Sequence, residues 1–306
     1  MKEPWIRVVK KAELGKRETL ILRLEAIVLA LVAGGFFILL IGQNPFVIYQ
    51  TIVTGALRSE MAIQATVKIM IPLLIASLGV TLAFKMKFWN IGAEGQITMG
   101  ALGASWVALN LSPNLPQPVM LLLMMVGAAV CGGIWAFIPA IFKAKLGTNE
   151  TIFTLMMNYV AIKFVTYLQY GPWMDPAANG FPKIAMFPDN AVMPKLGGVN
   201  IGWILAILAA VFVYFFMNYT KKGYEITVVG ESIETARYAG MNISRIIVVA
   251  MLISGGLCGI TGMIQASAIE KTLVYGIANG YGFTAIITPW LSKLNAGYAV
   301  AVCAVF

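Results

Sequence analysis

A succession of long apolar segments is the feature that most constrains how this chain can fold. Of its 306 residues, 59% are hydrophobic and only 11% are charged, whereas soluble domains carry roughly 25% charged residues. A soluble fold of this length would expose large apolar patches. A bilayer core of about 30 Å is crossed by roughly 20 apolar helical residues, and segments of that length recur along the chain. The sequence therefore predicts an all-α, polytopic membrane helical bundle.

The lengths of the apolar segments predict about eight complete transmembrane spans. We expect them at about residues 24–43, 62–84, 91–110, 119–142, 150–170, 200–218, 246–268 and 279–291. The last ten residues, from Gly297 to Phe306, begin a further apolar helix that would cover only about 15 Å, so we expect a truncated further span. Residues 24–306 would then form a single transmembrane domain behind a basic amphipathic leader at residues 1–23.

The distribution of basic residues predicts the orientation of the chain. Lys and Arg number 22 against 13 Asp and Glu, which gives a net charge of +9. If the leader is cytoplasmic, most basic residues outside the spans fall on its side, and the opposite side holds only Arg58, Lys183, Lys195 and Lys271. Because cytoplasmic loops are enriched in Lys and Arg, we expect a cytoplasmic N-terminus, and the positive charge requires no nucleic-acid partner.

The connecting segment 171–199 is rich in proline. It contains five prolines, which disfavour helix and stiffen an extended chain. Under the predicted orientation this segment lies outside the cytoplasm. Two interpretations remain open: a docking surface for an external partner, or a long connector.

The connecting segment 219–245 mixes acidic and basic residues on the predicted cytoplasmic side. At helical spacing, Ile233, Ala236 and Ala239 form a small apolar face, and Glu234 and Arg237 lie three residues apart on an adjacent face. This pattern is compatible with a short helix on the membrane surface that docks on a cytosolic protein. It is also compatible with an ordinary charged loop.

Polar side chains precede and begin the third apolar segment. Asn90, Glu94 and Gln96 supply one carboxylate and two amides among glycines. An acid inside the membrane is a candidate for function, so these residues are candidates for a functional site, which in a transporter would be the solute path. The alternative is that Glu94 caps the N-terminus of a helix, where the helix dipole favours a negative charge.

The fifth apolar segment carries a polar stripe. Thr151, Thr154 and Asn158 stand at i, i+3 and i+7 and so share one helix face. They either line the solute path or bond to their own turn and to a neighbouring helix.

The seventh apolar segment carries a stripe of small residues at i, i+4, i+7 and i+11: Gly255, Gly259, Gly262 and Ala266. Stripes of this kind allow close packing between membrane helices, so we expect this face to contact another helix.

Several chemistries are excluded by what the sequence lacks. It contains no histidine, which excludes His-based triads and His metal sites, and its three cysteines fit neither a zinc nor a disulfide pattern. It has no Gly-x4-Gly-Lys-Ser/Thr phosphate loop. No arginine lies between Arg58 and Arg237, so the central spans offer no guanidinium to a phosphate or carboxylate. A neutral solute is favoured, and Tyr281 and Phe283 could stack on a base or a sugar.

Four short stretches of the sequence resemble motifs of one known protein family, and they occur in the same order and with the same spacing. They are Asn90-Ile-Gly-Ala-Glu-Gly-Gln96 with Met99-Gly100-Ala101, Thr148-Asn-Glu-Thr-Ile-Phe-Thr-Leu-Met-Met-Asn-Tyr159, Gly230-Glu-Ser-Ile-Glu-Thr-Ala-Arg-Tyr-Ala-Gly240, and Gly280-Tyr-Gly-Phe283 with Leu294-Asn295. With them, the chain resembles the permease subunits of ABC importers for simple sugars and nucleosides, within the branched-chain amino acid and ribose permease group. The resemblance covers about residues 20–300, nearly the whole chain.

The resemblance implies a function that requires partners. It implies a prokaryotic plasma-membrane permease that pairs with an identical or paralogous second permease, a cytosolic ABC ATPase and an extracytoplasmic substrate-binding lipoprotein. The chain itself would bind no cofactor, and ATP with Mg²⁺ would be used by the ATPase. The implied coupling helix contains Gly230, Glu231, Glu234, Ala236, Arg237, Tyr238 and Gly240. Rival hypotheses are an ion- or proton-coupled secondary transporter and, less favoured, a membrane-embedded enzyme.

Overall fold

A computed structural model describes residues 15–111 and 113–306. It divides into two compact units, with the boundary after Ile63. Among the described residues, the strands are limited to a two-residue antiparallel hairpin, β1 (Lys195–Leu196) with β2 (Val199–Asn200). The described residues are otherwise mostly helical and include helices long and apolar enough to cross a membrane, which agrees with the prediction of a helical membrane protein.

The first unit contains a bend that the sequence analysis did not predict. Helix α1 (Lys16–Leu40) is followed by α2 (Pro45–Leu57) at an angle of 114°. The side chain of Asn44 accepts a hydrogen bond from the Phe46 N–H, and Pro45 occupies the first turn of α2, an arrangement that favours the start of a helix. The predicted boundary between leader and first span, at residues 23 and 24, falls inside α1, and residues 1–14 of the leader lie outside the described residues.

Helix α3 (Glu60–Lys85) leads into the second unit, which contains the remaining helices. They are α4 (Ala93–Asn110), α5 (Gln117–Leu146), α6 (Glu150–Tyr170), α7 (Gly202–Tyr219), α8 (Lys221–Glu231), α9 (Ile233–Tyr238), α10 (Ile243–Ile264), α11 (Tyr281–Leu291) and α12 (Ala296–Val305). Helix α10 continues into a π-helical turn, Gln265–Glu270, which we call the π-turn. Segment 171–199 adds two short 3₁₀ turns, Pro176–Ala178 and Asp189–Ala191.

The number of spans differs from the predicted eight. Among the described residues, five helices are long and apolar enough to cross a membrane (α3, α5, α6, α7 and α10 with its π-turn), and α1 with α2 would make a sixth. The predicted third span is α4, which has 18 residues but includes several polar ones. The predicted eighth is α11, whose 11 residues extend only about 16 Å. The count of eight is therefore not confirmed.

The core of the second unit is built from α4, α5 and α10, which pack through glycine. A Cβ at Gly100 of α4 would overlap the backbone of Gly259 of α10, and a Cβ at Gly262 would overlap the carbonyl oxygen of Ile97. A Cβ at Gly255 would lie 2.5 Å from the carbonyl oxygen of Gly132 of α5. The small-residue stripe of α10 thus lies against both neighbouring helices. Ala266, its last member, is also fully buried.

Helix α4 is enclosed by its neighbours, which explains how a polar helix is accommodated. Its buried residues include Glu94, Gln96, Thr98 and Ser105. Thr98 and Ser105 donate to carbonyl oxygens of their own helix, those of Glu94 and Ala101. Because protein rather than lipid surrounds these groups, α4 does not need the apolar surface that a lipid-facing helix requires.

The connecting segments of the second unit are held together in two groups. In one group, Lys87 Nζ donates to the Glu231 carbonyl oxygen (3.4 Å), and Ser244 Oγ donates to the Ala144 carbonyl oxygen (3.3 Å). Segments 85–90, 143–149 and 219–245 therefore meet, as the charge distribution predicted for one side of the membrane. The assignment of that side to the cytoplasm remains a prediction.

The other group surrounds the proline-rich segment 171–199. Thr272 Oγ1 donates to the Ile184 carbonyl oxygen (3.1 Å), and Gln117 Nε2 donates to the Val192 carbonyl oxygen (2.9 Å). The side chains of Ile184 and Phe187 are buried. These bonds tie the segment to the start of α5 and to the loop that follows the π-turn.

Candidate functional site

A buried polar cluster surrounds the start of α4. The side-chain amides of Asn90 and Gln96 form a reciprocal pair: Gln96 Nε2 donates to Asn90 Oδ1 (3.0 Å) and Asn90 Nδ2 donates to Gln96 Oε1 (3.2 Å). Asn90 Oδ1 also accepts from the Gly92 N–H at 3.0 Å. These bonds fix the non-helical turn that precedes α4, because they supply partners for polar groups that the helix cannot satisfy.

The polar stripe of α6 holds the same turn from the other side. Asn158 Oδ1 accepts from the Gly95 N–H (2.8 Å), and Asn158 Nδ2 donates to the Ile91 carbonyl oxygen (2.8 Å). Thr154 Oγ1 accepts from the Ile91 N–H at 3.2 Å. Thr154 and Asn158 are buried, whereas Thr151 is only partly buried. The structure thus brings Thr154 and Asn158, but not Thr151, into contact with the start of α4.

Glu94 connects α4 to the start of α11. Its two carboxylate oxygens accept hydrogen bonds from the N–H of Gly280 (2.9 Å) and the N–H of Gly282 (2.8 Å). These N–H groups belong to the first turn of α11 and have no partner within their own helix. A carboxylate at a helix N-terminus also interacts favourably with the helix dipole. Glu94 therefore caps a helix N-terminus, as one hypothesis had it, but that helix is α11 rather than α4.

A second contact ties α11 to the turn that precedes α4. The indoles of Trp89 and Trp290 stack with ring centroids 5.6 Å apart, and Phe84 lies 5.6 and 5.7 Å from them. A Cβ at Gly282 would overlap the backbone nitrogen of Glu94, so the two backbones approach closely. Helix α11 is consequently held at both of its ends by residues 84–94.

The two aromatic candidates at the start of α11 lie in different surroundings. Tyr281 is 9% exposed and borders a cavity, whereas Phe283 is 43% exposed. Tyr281 stands between Gly280 and Gly282, the two residues that Glu94 binds. The backbone position of Tyr281 is therefore set by the Glu94 carboxylate.

The predicted coupling segment packs directly on the turn that leads to this cluster. A Cβ at Gly230 would overlap the carbonyl oxygen of Lys85, and Glu231 receives the Lys87 bond described above. Helix α9 begins with a Ser232 side-chain cap on the Thr235 N–H at 3.2 Å. This segment is thus in direct contact with residues 85–87.

The exposed side of α9 presents charged and aromatic groups. Arg237 Nη1 lies 3.2 Å from Glu234 Oε1, and Tyr238 is 99% exposed. Of the predicted apolar face, Ala236 is buried, whereas Ile233 and Ala239 are exposed. Gly240 follows α9 with a φ of +71°, a conformation that glycine adopts at little cost. This end of the unit therefore offers a polar and aromatic surface.

Sequence reasoning missed two parts of the site. It did not pair Glu94 with Gly280 and Gly282, which are almost 190 residues away in the chain. The glycine-aromatic motif did mark residues 280–283 as important, but it did not indicate their partner. It also overlooked Gln265, a buried amide (3% exposed) at the end of an apolar helix. Among the described residues, no group of three or more His, Cys, Asp or Glu side chains could hold a metal ion.

Comparisons with known proteins agree with the resemblance carried by the motifs. A family model described as branched-chain amino acid transport system / permease component matches residues 61–305. The chain is 35% identical over 280 residues to the glucose ABC transporter permease protein TsgB13 of Haloferax volcanii, an alignment covering 87% of this chain and 73% of that protein. No solved structure matches the chain.

Two further relatives are named as permease proteins of guanosine or nucleoside transporters. The guanosine ABC transporter permease protein NupP of Bacillus subtilis is 31% identical over 93% of this chain and 83% of its own length. The nucleoside ABC transporter permease protein NupB of Lactococcus lactis is 32% identical over 85% of this chain and 74% of its own length.

Proposed function

This chain belongs to the family of branched-chain amino acid transport system permease components, among its sugar and nucleoside ABC permeases, and from that premise we propose that it imports a neutral nucleoside or simple sugar. ATP would be hydrolysed with Mg²⁺ by a separate cytosolic subunit. A second permease would complete the path, and an extracytoplasmic binding protein would deliver the solute. The complex would reside in the plasma membrane of a prokaryote, with the N-terminus of this chain in the cytoplasm.

The observation that carries the proposal is the continuous contact from the coupling segment to α11. Gly230 and Glu231 pack on residues 85–87, the next residues form the polar cluster, and Glu94 of that cluster holds the start of α11. An ATPase pressing on α9 would thereby bias the position of α11 between two arrangements, which is how binding energy at one site alters another. Membership of the family also supports a role for an ATPase in moving α11.

The first test is whether transport requires the ATPase. Reconstituted alone in liposomes, the chain is expected to leave gradients of guanosine and glucose unchanged, because its sequence contains no Gly-x4-Gly-Lys-Ser/Thr phosphate loop. When the chain is purified from native membranes, an ATPase subunit is expected to co-purify with it. Liposomes that contain this complex should accumulate solute when ATP and Mg²⁺ are enclosed in the lumen and the ATPase faces the lumen. Uphill accumulation by the lone chain, driven by an ion gradient, would instead favour the secondary transporter.

The second test concerns the exposed charges of α9. The double variant Glu234→Arg with Arg237→Glu is expected to lower solute uptake at least fivefold in the complete transporter while membrane insertion is retained. An exposed ion pair contributes only about 0–1 kcal/mol to stability, but reversing charges at an interface opposes like charges and costs several kcal/mol. The measurement is solute transported per ATP hydrolysed.

The matched control for this test conserves both charges. The variant Glu234→Asp with Arg237→Lys should keep uptake within about twofold of the parent, since rim charges act mainly through their sign. If the charge-reversed transporter has normal uptake and normal hydrolysis, α9 is not the docking element.

A further inference from the structure

A cavity borders the start of α11 and contains side chains that the polar cluster does not use. Its volume is about 510 Å³, and it lies between α3, the π-turn and residues 274–281. That volume is within the usual range for small-molecule sites. Its polar lining consists of Lys68, Gln265, Glu270, Tyr275, Asn279 and Tyr281.

The floor of the cavity presents a buried amide donor. Gln265 is 3% exposed, and its Nε2 group donates to no other residue in the part of the chain that the structure describes. Buried polar groups are normally hydrogen-bonded, so a donor of this kind indicates a site for an acceptor oxygen. The hydroxyl of Tyr281, also on the floor, shares hydrogen bonds with the side chains of Gln265 and Asn279, so three polar side chains meet beside the unpaired Nε2 donor.

The backbone explains why Gln265 reaches this cavity. Gln265 is the first residue of the π-turn, where the helix widens and the direction of successive side chains changes. π-helical turns are rare and are frequently found at functional sites. The turn ends at Lys271, which has a φ of +57°. Such a local conformation is sustained only where surrounding contacts compensate its cost.

The charges at the cavity balance. Lys68 and Glu270 are the charged members of the lining and both are exposed at its rim, while the floor groups Gln265 and Tyr281 are uncharged. Among the described residues no guanidinium lines the cavity, so an anionic solute would find one ammonium and one carboxylate in the lining. Ile69 and Ile269 add apolar surface against which the C–H face of a ring can pack. An uncharged ring that carries hydroxyl groups can both hydrogen-bond the floor groups and pack its C–H face on these side chains.

We propose that this cavity is a solute-binding chamber of the permease, with Gln265 and Tyr281 hydrogen-bonding the hydroxyls of a neutral polyhydroxylated ring. The ring is a free sugar or the ribose of a nucleoside. The assignment rests on the proposed import function, and it adds the residues that bind the solute. Glu94 acts here as a positioning residue, since it fixes the backbone on both sides of Tyr281.

The test uses the complete transporter in liposomes, with glucose, ribose, guanosine and adenosine as probes. Gln265→Leu is expected to reduce transport of whichever probe the parent carries by at least tenfold, while binding-protein-stimulated ATP hydrolysis stays within twofold. Tyr281→Phe and Asn279→Gly should each reduce transport severalfold. A parent that carries only nucleosides, or only free sugars, identifies the source of the ring.

Thr261→Val is the matched control, because Thr261 is equally buried one turn earlier and its hydroxyl donates to the Leu257 carbonyl oxygen of its own helix (3.3 Å). It should leave transport unchanged. If Gln265→Leu fails to assemble, Asn279→Gly decides, since Asn279 is exposed and has a φ of +48°, a conformation that glycine adopts at little cost. Unchanged transport in an assembled Gln265→Leu transporter, or in Asn279→Gly where that variant decides, overturns the assignment. Absence of ATP-driven transport by the parent would refute the import function instead.

Discussion

Replacing Glu94 with alanine is expected to reduce ATP-driven solute uptake at least tenfold while the subunit remains in the membrane. The change removes the acceptors of the Gly280 and Gly282 N–H groups. Each hydrogen bond to a charged group contributes about 1.5–3 kcal/mol, and a buried donor without a partner is costly. The start of α11, with Tyr281, would therefore lose its fixed position while the glycine-packed core of α4, α5 and α10 stays intact.

Glu94→Gln should have an intermediate effect, because its amide offers one acceptor oxygen but turns an N–H₂ group toward the second donor. Glu25→Ala, which removes an exposed carboxylate of α1, should leave uptake unchanged. The measurement is initial uptake rate in liposomes, normalised to assembled complex. Wild-type uptake by Glu94→Ala would show that the carboxylate is not needed for the transport cycle.

Substituting Gly259 by alanine is expected to destabilise the second unit strongly. The added Cβ would overlap the carbonyl oxygen of Ala128, a backbone atom of α5 that no change of rotamer can move away. Overpacking a close-packed interior costs about 3 kcal/mol in severe cases, which corresponds to a fall of about 10 °C in melting temperature for a unit of this size. Thermal unfolding in detergent and the yield of monodisperse protein measure the effect.

Gly256→Ala is a matched control on the same helix. There a Cβ would meet its nearest atom, the Ala129 carbonyl oxygen, at 3.5 Å, which is ordinary van der Waals contact. Its melting temperature should stay within about 2 °C of the parent. Equal melting temperatures for the two alanine variants would mean that α5 and α10 are farther apart than described.

Local patterns were sufficient to predict most of the helices. The apolar lengths that predicted spans at 119–142, 150–170 and 200–218 correspond to α5, α6 and α7, with ends shifted by no more than a few residues. Helix α2 was missed because its apolar residues were taken as part of a connector, although Asn44 followed by Pro45 marks a helix start. The eighth segment was predicted as a span although α11 is too short to cross a bilayer, since hydropathy alone does not show where a helix begins.

The sequence by itself determined that this chain is a helical membrane protein of a transporter family, and which of its connecting segments share a side. These properties depend on composition, apolar length and short motifs, all of which are local in the chain. The tertiary structure decided that Glu94 binds the N–H groups of Gly280 and Gly282, that a polar helix lies at the centre of the unit, and that Gln265 faces a cavity. These depend on how α4, α5 and α10 approach one another, which is set by atomic contacts at glycines far apart in the chain.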